Sequence, residues 1–87
     1  MKANPQNVAL VVAVMLGGVH TLWAILVALG WAQALADFSM WAHMVHANVV
    51  IGPFDGSAAI TVIVIASVIG YGIGFVAANV WNKVHAR

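Results

Sequence analysis

The chain has 87 residues, of which 64% are hydrophobic and 6% are charged, and it contains no cysteine. Soluble globular domains carry about 25% charged residues, so this composition excludes an ordinary soluble fold. A net charge of +1 without a basic cluster argues against nucleic-acid binding, and the lack of cysteine excludes disulfides and thiolate chemistry.

Two long stretches, residues 8–31 and 58–81, contain no Asp, Glu, Lys or Arg and consist mainly of Val, Ile, Leu, Ala and Gly. A helix of that length is about 36 Å long, enough for the roughly 30 Å hydrocarbon core of a bilayer. The sequence therefore predicts an all-α membrane protein with two transmembrane helices. Both belong to a single membrane domain that comprises residues 1–87.

The first stretch also has features of a secretory signal peptide. Lys2 precedes it, and Ala34-Leu35-Ala36 follows it as a small-x-small sequence. The apolar core of a signal peptide has only about 7–15 residues, however. We therefore interpret 8–31 as a retained helix. Asn4-Pro5 marks its start, because proline suits the first turn of a helix.

The connecting residues 32–57 are too long for a simple hairpin turn. Residues 34–48 are predicted to form an amphipathic helix that lies at the membrane interface. Its apolar arc comprises Leu35, Phe38, Trp41, Ala42, Val45 and Val49. Residues 52–56 then form a turn, and Asp55 or Ser57 is expected to cap the second span.

The few charges predict the orientation of the chain. Lys2 precedes the first span, and Lys83 and Arg87 follow the second, whereas the connecting segment holds only Asp37 and Asp55. Positively charged residues mark the cytoplasmic side of a membrane. We therefore expect both termini to be cytoplasmic and the connecting segment to face the periplasm or the exterior.

Small residues recur every four positions in both spans. Because residues at i and i+4 share a helix face, they form smooth grooves that let another backbone approach closely. The second span contains Ala66, Gly70, Gly74 and Ala78, and the first contains Ala9, Ala13, Gly17 and Thr21. The grooves serve either packing within the hairpin or contacts between protomers. Since one short chain encloses little core, we expect a homo-oligomer or attachment to a larger membrane complex.

His20 lies near the middle of the first span. Ionisable residues within a membrane are costly, and they usually face the interior of the protein. If the spans pair antiparallel, residues near 69 lie at the same depth, so Ser67 and Tyr71 are the expected hydrogen-bond partners. One interpretation is a neutral histidine that fixes the helix pair. The other is a ring of histidines in an oligomeric pore that handles protons or a metal.

The segment around residues 40–46 is a second candidate site. Two histidines at i and i+3 could present their imidazoles together, and two methionines add thioether ligands. The four residues are His43, His46, Met40 and Met44. They resemble a weak copper(I) or zinc site with an incomplete ligand set. The alternative is an interfacial helix whose histidines lie near lipid headgroups.

No arrangement of nucleophile, base and orienting group can be built from the sequence. Its only carboxylates, Asp37 and Asp55, lie beside turns and caps in the connecting segment. We therefore expect a protein that is not an enzyme, has no resident cofactor and contacts membrane lipid. The leading hypothesis is a structural or assembly module. The alternatives are a small pore or metal-handling protein and an accessory subunit of a larger complex.

Seven short segments in a fixed order resemble a group of small, uncharacterised bacterial membrane proteins. They are His20–Trp23, Leu26–Gly30, Asp37–Phe38, Trp41–Met44, Pro53–Asp55, Ile69–Tyr71 and Trp81–Asn82. The resemblance covers about residues 20–82. That group has no assigned activity. The resemblance therefore implies a two-helix protein of the bacterial inner membrane and no particular chemistry.

Overall fold

The computed structural model describes residues 2–86, and over that range the chain is all-helical with three helices. They are α1 (Pro5–Leu29), α2 (Ala32–Ala42) and α3 (Gly56–Val84). By length and composition, α1 and α3 could each cross a membrane. The two predicted long apolar helices are thus confirmed as helices, each with slightly different bounds from the predicted span.

Side chains at the N-termini of α1 and α3 satisfy backbone N–H groups that have no partner within the helix. Asn4 Oδ1 accepts hydrogen bonds from Gln6 N at 3.0 Å and Asn7 N at 3.3 Å, with Pro5 as the first helical residue. Asp55 Oδ1 accepts from the backbone of residues 57 and 58 at 2.9 and 3.2 Å. The predicted start at Asn4-Pro5 is confirmed, and of the two predicted caps of α3 the structure uses Asp55.

α1 ends at a glycine in the left-handed conformation. Gly30 has φ 81°, and its N–H lies 3.1 Å from Val27 O, while Trp31 N donates to Leu26 O at 2.9 Å. A left-handed residue closes a helix by satisfying its last carbonyls, and glycine takes that conformation without steric cost. The chain therefore turns sharply, and α2 begins two residues later, at Ala32.

α2 is shorter than the predicted helix over residues 34–48. It ends at Ala42, Met44 has a left-handed φ of 59°, and residues 45–55 are not helical. The β-branched residues that follow favour extended backbone, and a helical pattern of apolar positions does not by itself outweigh them. Val45 and Val49 therefore do not lie on α2, and the predicted apolar arc was wrong at these two positions.

α1 and α3 lie side by side with opposite chain directions. Gly74 lies against Ala9, and Gly70 lies against Ala13, while Gly17 lies against Ser67. As the residue number rises along α1, that of its partner on α3 falls, which defines an antiparallel register. α2 contacts α1, and its buried residues are Ala32 and Ala36.

Candidate functional site

The closest approach between the two long helices occurs at two glycines of α3. A Cβ built on Gly74 would lie 2.8 Å from both Ala9 Cα and Val8 O. A Cβ built on Gly70 would lie 2.9 Å from Val12 O and 3.1 Å from Ala13 Cα. Backbone atoms cannot move aside as a flexible side chain can. Hydrogen alone fits at these two positions, which explains why glycine occupies them.

Further small residues extend this contact along both helices. The buried residues of α1 are Ala9 and Gly17, and those of α3 are Ala66, Gly70, Gly74 and Ala78. We call these six residues the small-residue seam. A Cβ on Gly17 would collide with the Ser67 hydroxyl. The seam thus packs the two helices of one chain together. Packing within the hairpin is therefore one use of the grooves, and a contact between protomers through these helix faces stays a prediction.

Thr21 was predicted to continue the packing face of α1, but it is exposed and its hydroxyl donates to Gly17 O at 2.7 Å. The four-residue stripe of α3 stays buried from Ala66 to Ala78, whereas that of α1 ends at Gly17. The half-buried residues of α1 beyond Gly17 are His20, Ala24, Leu26 and Val27. The α1 side of the interface therefore follows the 3.6-residue period of the helix.

His20 is half-buried on that side of α1, and its Nδ1 lies 2.8 Å from Leu16 O. A carbonyl oxygen only accepts hydrogen bonds, so Nδ1 carries the proton in this contact. The predicted bonds to Ser67 and Tyr71 are not formed. Ser67 donates to Ile63 O at 2.8 Å within its own helix, and Tyr71 is 38% exposed.

The reason for this difference is the register of the two helices. The predicted depth placed residue 69 level with His20, because it assumed that the ends of the two stretches are aligned. The observed contact of Gly17 with Ser67 instead brings His20, three residues further along α1, level with Val64. The glycines that permit the closest backbone approach fix the register, and hydropathy alone contains no such information.

The predicted metal ligands do not form one cluster. His43 is the C-terminal cap of α2, and its Nδ1 lies 2.6 Å from Ser39 O. His46 lies beyond the helix, so the two imidazoles are not presented at i and i+3 of one helix. Met40, Met44 and His46 do line one open groove with Asp37, of about 610 Å³. Within residues 2–86, no three His, Cys, Asp or Glu residues are close enough to hold a metal ion.

Gln33 has a role that the sequence analysis did not identify. Its Oε1 accepts from Ile51 N at 2.6 Å, and its Nε2 donates to Val49 O at 2.8 Å and to Asp37 Oδ1 at 2.9 Å. One side-chain amide thereby satisfies two backbone groups of a non-helical segment. Gln33 thus fastens residues 49–51 to α2. A single Gln at the start of a helix gives no sequence signal for such a contact.

A second amide fastens the other end of the molecule. Asn82 Oδ1 accepts from Ala3 N at 2.6 Å, and Asn82 Nδ2 donates to Ala3 O at 2.7 Å. Lys2 and Lys83 are the sequence neighbours of this pair, so both lie at the same end of the helix pair. Asp37, on α2, and Asp55, immediately before α3, lie at the opposite end.

A groove opens between the two long helices and the connecting segment, and we call it the loop groove. Its volume is about 360 Å³. It is lined by Trp23, Ala24, Val27, Val50, Ile51, Gly52, Pro53, Phe54, Asp55, Ala58, Ala59 and Val62. Asp55 is the only charged residue among them, and the rest of the lining is apolar apart from backbone groups and the Trp23 indole N–H. The groove therefore has an apolar body with one carboxylate.

The chain matches no protein-family model, no curated protein and no solved structure. Its function is accordingly argued from its own residues.

Proposed function

We propose that this chain is a small integral membrane protein that acts as a structural module, held in the bilayer as an antiparallel two-span hairpin by α1 and α3. The observation that carries the proposal is the distribution of small and large residues. Alanines and glycines face inward along the small-residue seam. Large apolar side chains cover the remaining surface of both helices and stay exposed. Apolar surfaces of this extent mark contacts with lipid or with other proteins.

The proposed location is the bacterial inner membrane, with both termini in the cytoplasm. Its support is the separation of charge, since Lys2 and Lys83 are at one end of the helix pair and the two aspartates at the other. α2 would lie along the opposite interface. Its aromatic residues Phe38 and Trp41 are 63% and 74% exposed, as expected of a helix that places them among lipid headgroups.

Assembly, in this proposal, uses the outer surfaces of α1 and α3 and joins the hairpin to further copies or to a larger membrane complex. Because the seam packs α1 against α3 within one chain, we assign the association to the outer surfaces. Gly18 and Gly72 are two exposed glycines on these surfaces, and a Cβ built at either would meet nothing within 4 Å. Such positions allow a second helix to approach closely.

The pore or proton-handling alternative has less support. It requires His20 to face a water-filled axis between copies, whereas His20 is half-buried on the side of α1 that faces α3, with Nδ1 bonded to Leu16 O. The accessory-subunit alternative agrees equally well with a free outer surface. It differs in one outcome, because an accessory subunit purified alone would remain a single chain.

The test combines membrane extraction with the mass of the solubilised particle. We expect the chain to resist alkaline carbonate extraction and the particle to contain more than one copy. Gly18→Leu and Gly72→Leu add bulk where one chain has open space, so a fall in mass in either variant would report a contact between copies. Release by carbonate would refute the integral membrane protein. A single-chain particle for the unaltered protein would refute self-association and favour the accessory subunit.

A further inference from the structure

The loop groove combines an apolar body with a partly used carboxylate. Asp55 Oδ1 accepts both capping hydrogen bonds, from the backbone of Ser57 and Ala58. The other carboxylate oxygen, Oδ2, accepts no hydrogen bond from any residue between 2 and 86. The N-cap thus occupies one oxygen of Asp55, and its second oxygen is free to bind a cationic group.

In the proposed membrane orientation, the groove would lie at the depth where lipid acyl chains meet their headgroups. Asp55 immediately precedes α3, whereas Trp23, Ala24 and Val62 lie within the two long helices. The carboxylate is therefore at the polar end of the groove, and the apolar lining extends from it along the helices. A volume of about 360 Å³ lies within the range of roughly 300–1,000 Å³ that is typical of small-molecule sites.

We propose that the loop groove binds a phospholipid whose headgroup carries a primary ammonium, as in phosphatidylethanolamine. One acyl chain packs against the apolar lining, and the ammonium donates a hydrogen bond to Asp55. Charge complementarity selects this occupant, because the groove has a single formal charge and it is negative. An ammonium with N–H groups can pair with a carboxylate through a charge-assisted hydrogen bond, which a quaternary choline cannot form. The inference rests on the proposed membrane location.

The experiment is native mass spectrometry of the full chain in detergent, with three lipids that share the same acyl chains and differ in headgroup. We expect ethanolamine lipid to bind at least about threefold more than choline lipid, as for an exposed ion pair, and glycerol lipid to bind least. Asp55→Asn should remove the preference. Asparagine caps helices about as well as aspartate, so the variant keeps its fold and loses only the charge.

Two further variants separate the charge from the groove. Asp37→Asn removes the other carboxylate of the connecting segment, which does not line the loop groove, and should keep the preference. Ala58→Leu adds bulk at an exposed position in the groove wall and should lower binding of all three lipids. Helix content by circular dichroism checks that each variant is folded.

Three results would overturn the inference: equal binding of ethanolamine and choline lipids by the unaltered chain, a preference that survives Asp55→Asn, or lipid-free dimers whose formation Ala58→Leu abolishes. The last would mean that a second copy covers the groove. Carbonate extraction of the same protein distinguishes failure of the lipid site from failure of the proposed function. A chain that resists carbonate extraction but shows no headgroup preference leaves the membrane module standing, whereas a chain released by carbonate removes both.

Discussion

Asn82 binds Ala3 through both backbone polar groups of that residue, although the two lie 79 positions apart in the chain. Ala3 N–H donates to the amide oxygen, and the amide nitrogen donates to Ala3 O. The contact joins the segment before α1 to the last turns of α3. Since the connecting segment closes the opposite end, the helix pair is fastened at both ends.

Asn82→Ala should free the residues before α1. We expect the Ala3 amide to exchange with solvent about fivefold faster, and the free energy of unfolding to fall by about 1 kcal/mol, the net value of a typical hydrogen bond. Hydrogen exchange followed by NMR in detergent measures the first effect. Asn79→Ala is the matched control, because Asn79 is exposed and donates only to Phe75 O of its own helix. Equal exchange rates in the two variants would contradict the prediction.

Gly74→Leu should disrupt the pairing of α1 and α3. A leucine there would overlap Ala9 Cα and Val8 O, and we expect a loss of about 1–3 kcal/mol or more in the free energy of unfolding. SDS titration at dilution that isolates single chains measures it. Gly72→Leu adds the same side chain two residues away, in open space, and should change stability by less than about 0.5 kcal/mol. A similar loss in both variants would mean that side-chain bulk anywhere on α3 is harmful.

Gln33→Ala should release residues 49–51 from α2 without unpairing the long helices. It removes the acceptor for Ile51 N and the donor to Val49 O, so the Ile51 amide should exchange roughly fivefold faster. The Ala3 amide, at the other end of the molecule, should keep its exchange rate. Asp37→Asn is the control, since it alters only the contact of Gln33 with another side chain. Unchanged exchange at Ile51 would show that other contacts hold this segment.

The neutral ring of His20 should carry its proton on Nδ1. Leu16 O only accepts, and it lies 2.8 Å from Nδ1, so the tautomer with a bare Nε2 is favoured. Nitrogen-15 NMR of selectively labelled histidine distinguishes the two tautomers, with His20→Gln to assign the signal. A neutral ring protonated on Nε2 would contradict the contact and would reopen a role for Ser67 as its partner.

The topology can be read from single introduced cysteines, because the chain has none of its own. Ala86→Cys should react with a membrane-impermeant maleimide only after cells are permeabilised, and Ala47→Cys should react in intact cells. The reason is that Lys2 and Lys83 are at the end of the helix pair that contains residue 86. The reverse labelling pattern would invert the proposed orientation, and labelling of both in intact cells would refute two spans.

Sequence reasoning predicted the helices and their caps well, because hydropathy, Pro5 and Asp55 are local signals. It predicted the end of α2 poorly. An apolar pattern with a helical period continues to Val49, but the left-handed Met44 ends the helix before it. Gln33 holds the non-helical chain beyond Met44, through residues 49 and 51. A contact across 16–18 residues leaves no periodic trace in the sequence.

The candidate sites likewise combine local features, which the sequence predicts, with contacts between distant residues, which it does not. The glycines and alanines of α3 were recognised as a packing face, but hydropathy does not reveal which surface meets them. The register that pairs Gly17 with Ser67 also decides the neighbours of His20, so an error of five residues in register changed its predicted partners. Asn82 and Gln33 were missed because an amide that binds backbone has no distinctive spacing.

For the proposed membrane hairpin, the small-residue seam would separate two stages of biogenesis. Insertion of each helix depends on its hydrophobicity, whereas helix association inside the bilayer depends on close packing. Substituting Gly74 by valine would leave the hydrophobic character of α3 intact or greater, and the cell would still deliver the helix to the bilayer. The two helices would then cross the membrane without packing against each other. Variants with a disrupted seam would therefore accumulate as inserted protein with unpaired helices. Such protein would be a substrate for quality-control proteases.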